Sequence, residues 1–180
     1  MALLTAIALG IFALEAQLPS PVPVPGVKLG LANVITLVAM YILGRGAAGL
    51  VLLMRVLLGA LFAGSPSTLL FSATGGALAY ALMCVLTVCI PRERLYVTSA
   101  LAAVGHNVGQ LLSCQLVVHT PGLWGYFPIL AASGIITGLF TGLAAKYLLH
   151  ALDKTGLLRG GESITLNQSP HIADNRTRKR

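Results

Sequence analysis

Few residues in this sequence have the type and spacing to do chemistry. They are Glu15, Lys28, Asn33, Arg55, His106, Asn107 and Gln110, each in or beside a long apolar run. His106 and Gln110 are four residues apart and Asn107 and Gln110 three apart, so on a helix the three project from neighbouring parts of one face. Gly105 and Gly109 flank them and admit a close neighbour. Arg55 stays charged at any accessible pH, and an ionisable group inside an apolar span costs about 2.5–3.5 kcal/mol on insertion scales. It therefore needs Glu15, a cluster of carbonyls or a bound anion. The histidine group reads equally as a ligand contact or as a hydrogen-bonded link between helices. Bond-making chemistry is another matter. The sequence sets out no carboxylate pair, no nucleophile with its base and no metal cluster. Its only aspartates are Asp153 and Asp174, so no aspartate-rich segment is there to hold magnesium and diphosphate. The chain is read as non-catalytic, with no cofactor and no metal.

The elements that must position these residues follow from composition. The chain is 56% hydrophobic and 9% charged, with mean hydropathy +0.85, whereas soluble domains carry roughly 25% charged residues. This is the composition of an integral membrane protein. A hydrocarbon core about 30 Å thick takes about 20 apolar residues per helix, so residues 1–152 are expected to form a compact all-α bundle of six spans, followed by a polar, basic tail at 153–180. The net charge of +7 lies in loops and tail rather than in a nucleic-acid-binding face. Nucleic acid is therefore excluded as a partner. Cys84, Cys89 and Cys114 lack the spacing of a redox or zinc site and read as small buried hydrophobes.

In chain order, the apolar runs are 2–18, 29–43, 47–63, 68–90, 95–118 and 123–152. The first has neither a basic leader nor a clear cleavage site and carries Glu15 near its end, so it is read as a span rather than a signal peptide. Ala2, Ala6 and Gly10 recur on it every four residues, a flat stripe that suits either a partner helix or packing within the bundle. Pro19, Pro21, Pro23 and Pro25 then form a stiff, extended connector across residues 18–34, with Glu15 before it, Lys28 within it and Asn33 at its end. Polar groups around a rigid elbow between two apolar segments are where a membrane protein keeps a ligand site. The second run is short for a full span. The fourth opens with a small-residue patch at 72–77, and the sixth is long and glycine-rich.

Six spans put both termini on one side. Arg45, Arg92, Arg94, Lys146, Lys154, Arg159 and the final RTRKR fall on that side, which the positive-inside bias makes cytoplasmic. Glu15, Lys28 and the turns near residues 65 and 120 then lie outward, with Arg55 and His106 deeper. Lys28 and Arg55 favour an anionic ligand, and the apolar surroundings a partly hydrophobic one.

The segments PVPGVKLGLANVITLVAMYILG, LMRVLLGALFAG, GHNVGQLL and PILAASGIITGLFTGLAAKYLL closely resemble a bacterial membrane family known as heptaprenyl diphosphate synthase component I, or the Gx transporter family. The resemblance covers roughly residues 1–150, and its first and third segments are the most specific. That family is in turn similar to the substrate-binding S components of energy-coupling factor transporters. The resemblance implies six helices in the bacterial inner membrane, an outward site capped by the first loop, and a small-residue first helix that docks on a coupling subunit. ALLTA, from Ala2 to Ala6, is similar to that AxxxA docking motif. The expected function is thus a substrate-binding component for uptake of a small, vitamin- or precursor-like molecule. Its partners would be a coupling transmembrane subunit and ATPases, because the chain has no GxxxxGK[ST] loop of its own. The alternative is a non-catalytic accessory to a separate prenyl diphosphate synthase in isoprenoid-quinone synthesis.

The orientation is testable in whole cells. In a cysteine-free background, cysteines placed at Ser65 and at Thr120 should react with an impermeant thiol reagent without lysis. Labelling of both only after lysis would reverse the topology.

Overall fold

A computed structural model describes residues 1–17, 30–64, 66–119 and 121–154. The sequence-derived connector is mostly outside them, as are Lys28 and the tail from residue 155. Two compact units divide the chain, Met1–Tyr147 and Leu148–Arg180. The described part of the second is the last two turns of the final helix. Among the described residues there are six α-helices and no strand: α1 (Ala2–Glu15), α2 (Asn33–Leu43), α3 (Arg45–Ala63), α4 (Pro66–Cys89), α5 (Leu95–Val118) and α6 (Phe127–Lys154). Short 3-10 turns, Arg92–Arg94 and Pro121–Tyr126, lead into α5 and α6. The expected all-α membrane architecture is the one observed. The last helix, α6, runs to Lys154.

Four helices, α3 to α6, have the length and apolarity to cross a membrane. The first two are shorter than their apolar runs. At 1.5 Å per residue α1 is about 21 Å long and α2 about 16 Å, against a hydrocarbon core of about 30 Å. The physical reason lies in their ends. α1 stops at Glu15, whose carboxylate accepts the backbone N–H of Gly30. Gly30 has φ +78°, a left-handed conformation natural to glycine, and α2 starts only after it.

α2 is nonetheless the most enclosed helix for its length. Seven of its eleven residues, Asn33, Ile35, Thr36, Leu37, Val38, Ala39 and Met40, are buried, which is why it reads as apolar all round. α5 is the other central element, and its buried side is the polar one, with Thr98, Ser99, His106, Asn107, Gln110 and Ser113 inside and Leu101, Leu112 and Leu116 exposed. In water such a helix would be inside out. In lipid it places the costly groups inside the bundle and the cheap ones on the hydrocarbon. The outer faces of α3 and α6 fit that environment, with Phe62 and Phe140 among the most exposed side chains.

The ends of the helices register as the alternating topology requires. Tyr80 of α4 donates a hydrogen bond to the carbonyl of Arg45 at the start of α3, at 2.8 Å. The guanidinium of Arg92 stands 5.9 Å over the Tyr41 ring at the end of α2. The α2–α3 and α4–α5 turns therefore share one end, and Arg45 and Arg92 cluster there.

Close packing falls on glycines other than the stripe on α1. Gly134, Gly138 and Gly142 of α6, four residues apart, lie against Asn107, Ala100 and Tyr96 of α5. A Cβ at Gly138 would lie 2.5 Å from the Ala100 Cα, and one at Gly142 2.5 Å from the Tyr96 Cα. A Ser99–Thr141 hydroxyl contact of 3.1 Å joins the same pair of helices. By contrast Ala2, Ala6 and Gly10 are exposed, with Ala8, Phe12 and Glu15 forming the inward face of α1. Cys89, expected to be buried, is exposed, whereas Cys114 is buried.

These contacts set a graded response to one added methyl group. Gly138→Ala and Gly142→Ala should each destabilise the protein by about 1–3 kcal/mol through overpacking. Gly10, with nothing within 4 Å, should accept alanine within about 0.5 kcal/mol. Thermal unfolding of the three variants in detergent measures both.

Candidate functional site

A pair of glycines on α4 brings three helices to one place. Gly75 faces α5, and a Cβ there would lie 2.9 Å from both the His106 Nδ1 and the Gln110 Cγ. Gly76, a turn of about 100° further round, faces α3. A Cβ there would lie 3.0 Å from Leu52 and 3.5 Å from the Arg55 Nη2. Lower down, α4 and α5 touch backbone to backbone, because a Cβ on Gly109 would lie 2.6 Å from the Thr74 carbonyl oxygen. Thr74 and Ser113 hydroxyls meet across that seam at 2.9 Å. The side chains of α3 and α5 can thus reach the middle of the bundle from both sides of α4.

α1 and α2 close the remaining sides. A Cβ on Gly30 would lie 2.8 Å from the His106 Cδ2 and 3.1 Å from the Asn33 Nδ2, so the turn into α2 sits directly on the imidazole. That turn is tied to Glu15 through the Gly30 N–H. Glu15 and Arg55 lie within electrostatic reach of one another, and so do Arg55 and His106. Glu15, Asn33, Arg55, His106 and Gln110, chosen from sequence, therefore come together from four helices, and all are buried. Arg55 is 3% exposed.

Several of their polar atoms have no hydrogen-bond partner among the described residues. They are the Arg55 Nε, the His106 Nδ1 and the Asn33 Nδ2, joined by the Thr36 Oγ1 one turn after Asn33. A buried polar group without a partner costs about 1–3 kcal/mol, and more when charged. Such atoms mark a place where something else is to be bound, or where hydration completes the shell. The arrangement can hold a ligand by donation of hydrogen bonds. Among the described residues no three His, Cys, Asp or Glu side chains come together as metal ligands would.

Asn107 is placed elsewhere. Next to His106 in sequence, it is rotated about 100° round α5, and its Nδ2 donates to the Leu130 carbonyl of α6 at 2.7 Å. The shared face expected for His106, Asn107 and Gln110 thus holds for the first and third, and Asn107 links helices. The stripe Ala2, Ala6 and Gly10 lies on the outer side of α1, away from the cluster. Lys28 lies outside the described residues. Gly30, Gly75, Gly76 and Thr36 were not singled out from sequence. Thr36 had a usable signal, its three-residue spacing from Asn33, whereas a glycine's partner helix is invisible without the fold.

An apolar groove runs along the outer side of the α1–α3 seam. Leu9, Gly10, Phe12, Ala13 and Ala16 line one side and Gly59, Phe62 and Ala63 the other, enclosing about 420 Å³. Phe12 packs on Gly59, where a Cβ would lie 2.8 Å from its ring.

Fold and site together define an all-α integral membrane protein with a buried, donor-bearing polar cluster at the meeting of its first five helices. The chain belongs to the family described as heptaprenyl diphosphate synthase component I, which matches residues 4–148. No curated protein and no solved structure matches it.

The separation of Asn107 from the rest gives a test. Asn107→Ala should lower stability by about 1–2 kcal/mol through loss of one buried hydrogen bond, read as a thermal shift. Asn33→Ala, which removes an atom with no partner, should cost less. The opposite order would move Asn107 out of its structural role.

Proposed function

We propose that the chain is the substrate-binding membrane component of a small-molecule uptake system of the energy-coupling factor type, seated in the bacterial inner membrane with both termini cytoplasmic. The observation that carries this reading is the set of unpartnered polar atoms on Arg55, His106 and Asn33, buried inside an apolar bundle. A membrane chain keeps such groups where a ligand or ion is handled. Arg55, His106, Gln110, Glu15 and Asn33 form the ligand site in this reading, with Lys28 at its rim. The chain is not an enzyme, since its sequence offers no diphosphate–magnesium chemistry. Movement of the ligand inward needs a coupling transmembrane subunit and ATPases. The exposed stripe Ala2, Ala6 and Gly10 is the surface that a partner helix could approach closely.

A second reading is favoured by the family's name. A component I that performs no catalysis would serve a prenyl diphosphate synthase as its membrane subunit, presenting or receiving an isoprenoid at the same site. The residues 153–180, basic and polar in sequence, would in either reading lie at the cytoplasmic surface beside the partner.

Native mass spectrometry of the detergent-purified protein should find a retained small molecule that is lost in a folded Arg55→Leu variant. Cells should accumulate that same molecule, isotopically labelled, and Ala6→Trp should abolish accumulation while the purified variant still retains it. Normal accumulation by Ala6→Trp would count against a coupled transporter. Co-purification of a prenyl synthase whose activity depends on this chain would establish the second reading instead.

A further inference from the structure

We propose that the ligand is a small monocarboxylate, its carboxylate held at Arg55, Asn33 and His106. This rests on the small-molecule reading above and adds the chemical class.

The unpartnered atoms have a bias. The Arg55 Nε and the Asn33 Nδ2 are donors only, the His106 Nδ1 donates in one of its tautomers, and the Thr36 Oγ1 can donate or accept. The group that completes them must be rich in acceptors and poor in donors. An ammonium or a guanidinium head would bring further donors to Arg55 and be repelled by it. In an arginine the Nε and Nη2 share one edge of the planar guanidinium, the edge that meets both oxygens of a carboxylate at once. Here the Nε is unpartnered, and the Nη2 lies beside a residue with no side chain, Gly76.

The test uses the full-length protein in nanodiscs of zwitterionic phosphatidylcholine, titrated calorimetrically with octanoate, octanol and octylamine, which share a tail and differ in head. Octanoate should bind about tenfold or more tighter than octanol, the worth of one charge-assisted hydrogen bond, and octylamine should not bind. Arg55→Lys, which keeps the charge and loses the two-donor edge, should weaken octanoate about tenfold. Asn33→Ala keeps the arginine and should weaken it several-fold, which preserves the test if Arg55→Lys does not fold. Equal binding of octanoate and octanol, binding of octylamine, unchanged octanoate affinity in a folded Asn33→Ala variant, or absence of binding by all three would overturn the proposal. So would octanoate binding that phosphatidylglycerol in the disc abolishes while Arg55 and Asn33 variants bind like wild type, since the site would then belong to a lipid phosphate. Retention of a non-acidic molecule in native mass spectrometry would overturn the carboxylate class and leave the small-molecule reading standing.

Discussion

The structure depends on the cost of keeping an arginine away from water. Arg55 cannot lose its proton, and on a span facing lipid it would be expelled or would drag water with it. Five helices are arranged so that it faces none. Glu15 supplies a charge of opposite sign from the end of α1, and the glycine pair of α4 lets the guanidinium and the imidazole of His106 approach from opposite sides. The turn at Gly30 covers the imidazole and is itself tied back to Glu15. Lengthening any of these glycines by a methyl group would push two helices apart at the level of the charge.

The same constraint explains why α1 and α2 are short. A helix that ran on past Glu15 would carry the carboxylate's neighbours past the turn that its side chain must reach. Gly30 takes a positive φ there, and α2 begins where Asn33 and Thr36 can point inward. Enclosure of α2 then follows, because a helix of about three turns can cover neither face of the bundle alone and is surrounded instead. Two short helices close off the polar cluster, and four long ones have the length and apolarity to cross lipid.

Glycine does two kinds of work in this molecule. On α6, Gly134, Gly138 and Gly142 make a flat strip on which α5 lies, and Asn107 and Ser99 add hydrogen bonds along it. In lipid, where apolar burial does not drive helices together, such close contact is the main source of association. On α4, Gly75 and Gly76 bring polar side chains to a point. One use stabilises, and the other gathers costly groups whose hydrogen bonds stay unfilled. Membership of the heptaprenyl diphosphate synthase component I family agrees with a membrane subunit that works beside other proteins.

The membrane class, the six helices and the burial of Arg55, His106, Asn107 and Gln110 were legible in the sequence, whereas Glu15 and Asn33, read as lying near the outward rim, are buried as well. Composition and the cost of polar groups in apolar runs act locally, residue by residue, and need no knowledge of which helix lies next to which. Direction was not legible. His106 and Asn107 are neighbours in sequence, and only the placing of α4 and α6 on either side of α5 separates an imidazole inside the polar cluster from a helix-linking amide. Nor could spacing tell the small-residue stripe of α1 from that of α6, since both recur every four residues. One faces outward and the other is packed against α5, and that difference resides in the arrangement of helices alone. What tertiary structure decided, therefore, is which polar atoms are answered and which are left open, because a hydrogen-bond partner across the bundle is a property of two helices and no single stretch of chain records it.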